Sequence, residues 1–140
     1  MELYEAINNY LSSYANLKAL VADRILVDEA QQNTAYPYIV HYSTGSSNEH
    51  GFRQDTGLVS EMVTIDCYGL TRDSVNSVAK QVKIALQNWT RAVMGGTGGV
   101  EVESVMFENA YDAFDDNTGD EKGNLGVKRR ILEFEFWHQE

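Results

Sequence analysis

The chain has 140 residues and a formal net charge of −10, from 21 acidic against 11 basic side chains. A chain of this size fits one domain, and 43% hydrophobic residues supply a core; the charge argues against general nucleic-acid binding, which needs Lys and Arg to displace counterions, and against an anionic membrane surface. Cys67 is the single cysteine and excludes an internal disulfide, and with no basic leader and no run near the ~18 apolar residues of a membrane span the expectation is a soluble, cytosolic single domain.

Residues from Glu2 to Ala22 read as one helix. Leu3, Ile7, Leu11 and Tyr14 recur at helical steps, and Leu17 and Val21 continue the stripe. Arg24 to Asp28 is a short β-type run, followed by a polar stretch from Glu29 to Thr34. In "YPYIVHYS" the only proline, Pro37, lacks an N–H and so suits a strand entry. It also biases Tyr36 towards an extended conformation. Tyr38, Val40 and Tyr42 alternate with Ile39, His41 and Ser43, which is strand patterning. The competing reading of Tyr36, Tyr38 and Tyr42, an aromatic platform for a ligand, is the less economical one.

Residues 44–58, "TGSSNEHGFRQDTGL", are polar and contain glycine, so they read as a long mobile connection between strands. Glu49, His50, Phe52 and Arg53 in it are candidates for facing a partner. "MVTIDCY" alternates, with Val63, Ile65 and Cys67 on one face. A second helix follows from Asp73 to Met94, with Val75, Val78, Val82, Leu86, Trp89 and Val93 as its stripe and Thr71 or Asp73 as its cap. "GGTGG", Gly95 to Gly99, ends that helix. A strand from Val100 to Phe107, an acidic loop from Asp112 to Gly126, and a last strand, "VKRRILEFEFWH", complete the chain. In the last strand Leu132, Phe134 and Phe136 face one way, and Glu133, Glu135 and Trp137 the other. The expected fold is α+β, residues 1–140 forming a single domain: one mostly antiparallel sheet with two helices packed on one face, in the order α-β-β-β-α-β-β.

The sequence shows no nucleophile constellation and no metal-ligand spacing, so the expectation is a non-enzymatic protein without cofactor or metal. His41, His50 and His138 are scattered, and Cys67 reads as a small buried hydrophobe. The glycines of "GGTGG" follow a helix and precede a strand, the reverse of a phosphate loop. "DAFDDNTGDEKG" fails as a calcium loop: with Gly119 at the sixth position Phe114 takes the first, and with Gly123 at the sixth Thr118 does. A solvated acidic stretch is the better reading.

The ordered set as a whole resembles the tail terminators, or tail-completion proteins, of long-tailed bacteriophages. The resemblance is carried by the opening helix through "LKALVADRILVDEA", the "YPYIVHYS" entry, the long polar stretch, "VTIDCYG", the helix "DSVNSVAKQVKIALQNW" and the closing "RRILEFEFW". The acidic stretch and "GGTGG" have no matched counterpart. Such a resemblance implies a virion protein at the head-proximal end of the tail, assembled in the host cytoplasm. It implies a ring, typically a hexamer, that stops growth of the tail tube and offers a surface for head–tail joining. Its implied partners are copies of itself, the tail tube protein and a neck or head-completion protein, with genome DNA passing through the channel unbound and no membrane involved. A neck protein, a tube subunit and a small non-enzymatic bacterial binding module are the alternatives.

Between Thr97 and Gly126 eight acidic side chains face one basic one, Lys122. The basic triplet Lys128-Arg129-Arg130 follows directly. Strand alternation puts Lys128 and Arg130 on one face and Arg129 on the other. Two readings follow. The triplet pairs with its own loop, or Asp112, Asp115, Asp116, Asp120 and Glu121 of one subunit meet Lys128 and Arg130 of the next.

Overall fold

Long strands with period-two alternation need one covered face, and two amphipathic helical segments are available to cover it. The computed structural model describes residues 1–31, 33–50, 55–115 and 126–139, without the side chains of 48–50, 55, 56, 114 and 115. Its elements are α1 (Leu3–Ser13), α2 (Ala15–Val21), β1 (Ile25–Val27), β2 (Tyr38–His50), β3 (Asp55–Gly69), α3 (Arg72–Gln87), β4 (Ala92–Met94), β5 (Val100–Asp115) and β6 (Val127–Gln139). The strands form one sheet in the order β1-β2-β3-β6-β5-β4. Only the β1–β2 pair is parallel. The expected α+β class and the mostly antiparallel sheet are both present.

One face of the sheet is packed under the helices. Across it run Ile39, Cys67, Ile65, Val63, Leu132, Phe134 and Phe136, which join Leu3, Ile7 and Leu11 of α1 and Val75, Val78, Val82 and Leu86 of α3 in a single buried cluster. Cys67 is fully buried there, and desolvation pushes its thiol far above the ordinary range. His41 is also buried on this face. Its Nε2 lies 3.0 Å from Asn8 Oδ1, and burial lowers its pKa to about 4, so the ring is neutral at physiological pH. Thr71 caps α3: its hydroxyl accepts from the Ser74 N–H at 3.1 Å.

Five sequence expectations need correction. The opening helix is two helices, broken at Tyr14, which is extended at φ −76°, ψ 112°. The Ser13 hydroxyl donates to the Tyr10 carbonyl at 2.8 Å. That carbonyl is the acceptor the Tyr14 N–H would use in a continuing helix; the Tyr14 N–H donates to the Leu11 carbonyl instead. The second helix stops at Gln87 rather than Met94. Trp89 is drawn towards the sheet, its indole N–H donating to the Val102 carbonyl at 3.1 Å and its ring standing edge-on to Tyr10.

Residues 92–94 then form β4, a sheet edge, and Val93 is exposed. "GGTGG" is therefore a hairpin turn between β4 and β5, with Met94 opposite Val100. Gly95 holds φ +93°, and an added Cβ would lie 2.7 Å from Ala6 Cα. Gly95→Ala is expected to cost about 1–3 kcal/mol, from overpacking against α1 and from the left-handed backbone. An unchanged urea midpoint would show that α1 can retreat without penalty.

The largest correction concerns residues 44–58. They are not a connection: 44–50 continue β2 and 55–58 begin β3, in register from Ser43↔Val63 to His50↔Asp55 with two bulges. Ser43 to Ser47 stay exposed, so their polar composition reflects a solvated strand rather than the absence of one. Backbone pairing supplies the order that side chains do not. The acidic stretch begins as strand as well, since β5 runs to Asp115, opposite Val127.

Candidate assembly interface

The helix-free face of the sheet carries a polar and aromatic cluster. Asp66 on β3 is 1% exposed. Its Oδ2 accepts from Arg129 Nη2 at 2.5 Å. Desolvation raises the Asp66 pKa in spite of that guanidinium. Arg129 also lies over the Tyr68 ring at 5.3 Å. Tyr68 stacks on Tyr38 at 4.8 Å, and Tyr38 meets Tyr36 at 5.2 Å. Tyr38, the residue after Pro37, begins β2, so the strand entry and the aromatic cluster are the same residues. Farther along this face Met106 and Tyr111 of β5 are exposed.

The helix-covered face ends in a groove of about 300 Å³ between α3 and strands β5 and β6. Its floor is Phe107, Ala110 and Leu132, and its cations are Lys80, Lys83 and Arg130. Lys83 Nζ sits 4.3 Å from the Phe107 ring centroid. Lys80 and Lys83 are three residues apart on α3 and so share a face.

The residues singled out from sequence fall as follows. Arg130 and Asp112 do meet, but within one copy: Arg130 Nη1 is 2.8 Å from Asp112 Oδ1, and Arg72 Nη1 is 3.0 Å from the same oxygen. Lys128 donates through Nζ to the Gly126 carbonyl at 3.1 Å. Asp115 ends β5, while Asp116, Asp120 and Glu121 lie outside the described residues. Glu49 and His50 close β2, and Phe52 and Arg53 lie outside the described residues. Arg129, on the opposite face from Arg130, is held by Asp66.

Sequence reasoning missed Lys80 and Lys83, although their spacing on the polar side of α3 was a signal for a shared face. It missed Asp66 because a lone carboxylate in "MVTIDCY" looks like any outward strand residue. Among the described residues no group of three or more His, Cys, Asp or Glu is placed to hold a metal ion.

The family model described as tail completion protein gp17 matches residues 5–139. The chain belongs to that family. It is thus a structural virion protein of a phage-type tail. No curated protein matches it. Its fold is similar to a solved chain from the virion of a native gene transfer agent particle, at 16% identity and a TM-score of 0.74, over 99% of this chain and 95% of that one. At that identity the likeness speaks to fold.

Proposed function

We propose that copies of this tail-completion chain close into a ring, a hexamer, on the last ring of a tail tube at the head-proximal end. There the ring stops tube growth and presents the surface to which a neck or head-completion protein joins. The observation that carries this reading is the family match over nearly the whole chain, residues 5–139. The fold supports it in a specific way. A cyclic ring needs two different, complementary patches on each subunit. This chain has a cation-lined groove beside α3 on a body whose net charge is −10.

In such a ring the protein works by geometry and charge rather than by bond-making, and no catalytic, cofactor or metal role is assigned. Six copies at −10 each surround the channel with negative charge, so DNA phosphates slide past without counterion-release binding. Assembly takes place in the host cytoplasm, and the finished ring resides in the virion. Glu49 and His50 at the end of β2, with Phe52 and Arg53 that follow them in sequence, are the candidate contact to the tube or neck.

The expected result by electron microscopy of the protein mixed with tail tubes is one added ring at one tube end. Tubes grown in its presence should also be shorter and more uniform. Density along the tube wall, or bare ends at saturating protein, would refute the terminator role.

A further inference from the structure

We propose that neighbouring copies of this chain join edge to edge: residues 104–107 on the outer side of β5 in one copy pair, antiparallel, with residues 45–48 on the outer side of β2 in the next. The inference rests on the ring reading above and names the contact that would close the ring.

A strand without a neighbour presents a row of unpaired N–H and C=O groups, a template for another chain. β2 and β5 are both in this position over most of their length. β4 covers β5 only at Val100, Glu101 and Val102, and β1 covers β2 only at Ile39, Val40 and His41. Among the described residues no other strand lies outside either one. These open edges are interrupted. On β5 the register shifts between Val102 and Ser104 and again between Phe107 and Asn109. Just past the second shift the Ala110 N–H is taken by the Asn109 side chain at 2.9 Å. On β2 the register shifts between Ser43 and Gly45 and between Asn48 and His50. Such interruptions bend an edge away from a partner. Each edge therefore keeps one regular stretch, 104–107 on β5 and 45–48 on β2. Ser46 and Ser47 of one stretch and Met106 of the other are exposed.

The two stretches stand at the same height on opposite sides of the sheet. Ser104 pairs with Trp137, Trp137 with Ser60, and Ser60 with Ser47. Met106, Glu135, Met62 and Gly45 form a second such row. Every step from β2 through β3 and β6 to β5 is antiparallel, so β5 runs opposite to β2. A copy set beside another in the same orientation, without sliding along the strands, brings the two stretches together as an antiparallel pair. Sheet order decides between the same copy and its neighbour. β3 and β6 stand between β2 and β5, a separation of about 14 Å at roughly 4.8 Å per strand, so one copy cannot pair its own two edges. Charge decides against β5 pairing with a second β5, because centring that pair on 104–107 sets Glu103 of each copy opposite Glu108 of the other. Residues 45–48, Gly-Ser-Ser-Asn, carry no charge. Gly45 has open space where a Cβ would stand, which leaves room for Met106 from the same row of the neighbour. The contact joins two different patches, the kind that closes into a ring.

The test uses full-length protein assembled on tail tubes, with the free subunit as reference. Amide hydrogen exchange in the unaltered protein is expected to slow at least about tenfold in both stretches on assembly. Cross-linking then reads which edge meets which. Cys67 is fully buried, so a short bifunctional maleimide reagent acts on introduced thiols. A chain carrying Ser47→Cys with Ser104→Cys should give a ladder of multiples of 15.7 kDa. An equimolar mixture of the two single variants should stop at dimers, and neither single variant alone should cross-link. Circular dichroism checks folding, and Gly45→Cys with Met106→Cys gives the same reading from the second row if the first pair does not fold. Dimers from Ser104→Cys alone or from Ser47→Cys alone would show like edges pairing and overturn the inference. Occupied tube ends with both stretches exchanging as fast as in the free subunit would also overturn it, as would the absence of a ladder from the doubly substituted chain; both leave the ring reading intact. Bare tube ends with the unaltered protein would overturn both.

Discussion

Arg129→Met is expected to destabilise the fold by about 3 kcal/mol at neutral pH, because it leaves the Asp66 carboxylate buried without its countercharge. The Asp66 side chain is 2% exposed and that of Arg129 30%. The half-open side of the pair and the Tyr42 and Tyr68 hydroxyls near Asp66 set the cost at the low end of the range for broken buried pairs. The pH dependence has a definite sign. Desolvation already raises the Asp66 pKa in the folded state, and losing Arg129 raises it further. A carboxylate with a raised folded pKa lowers stability as pH rises from its unfolded value through the folded one. The gap between variant and parent is therefore widest near pH 7 and narrows on acidification towards pH 4. Adding Asp66→Asn should restore most of the loss at pH 7. Urea unfolding at the two pH values measures this, and an equal loss at both would rule out the buried carboxylate as its source.

Phe134→Ala is expected to cost about 3–5 kcal/mol, the range for deleting a buried aromatic ring. Phe134 is 0% exposed. Its ring stands edge-on to Phe107 of β5 at 5.6 Å and to Phe136 of its own strand at 6.5 Å, so it ties two neighbouring strands together beneath the helices. Phe134→Leu keeps most of the volume and should cost less than about 1.5 kcal/mol. The expected readout is a lower urea midpoint with an unchanged slope. A loss below about 1 kcal/mol would mean that the α3–sheet interface collapses into the space.

The alternation of Leu132, Phe134 and Phe136 was legible in the sequence because the pleat enforces period two locally, and one buried face rewards it. The stripe of α3 from Val75 to Leu86 was legible for the corresponding reason at period 3.6, and so was the Thr71 cap, whose bond to Ser74 spans one turn. The family pattern was legible in the order of such pieces, which the match over residues 5–139 upholds. Each of these signals is carried by neighbours in sequence.

What only the tertiary structure decided depends on partners far away in the chain. Residues 44–50 are strand because β3 supplies their hydrogen bonds, not because "TGSSNEH" prefers it. Residues 92–94 leave the helix because β5 offers an edge and Trp89 is drawn to Val102. Arg130 meets Asp112 on the neighbouring strand, which no local pattern announces. Lys80 and Lys83 come to line one groove only when α3 is laid across Phe107 and Leu132. Pattern records which side of an element is buried; which element lies against it is settled by the packing of the whole chain.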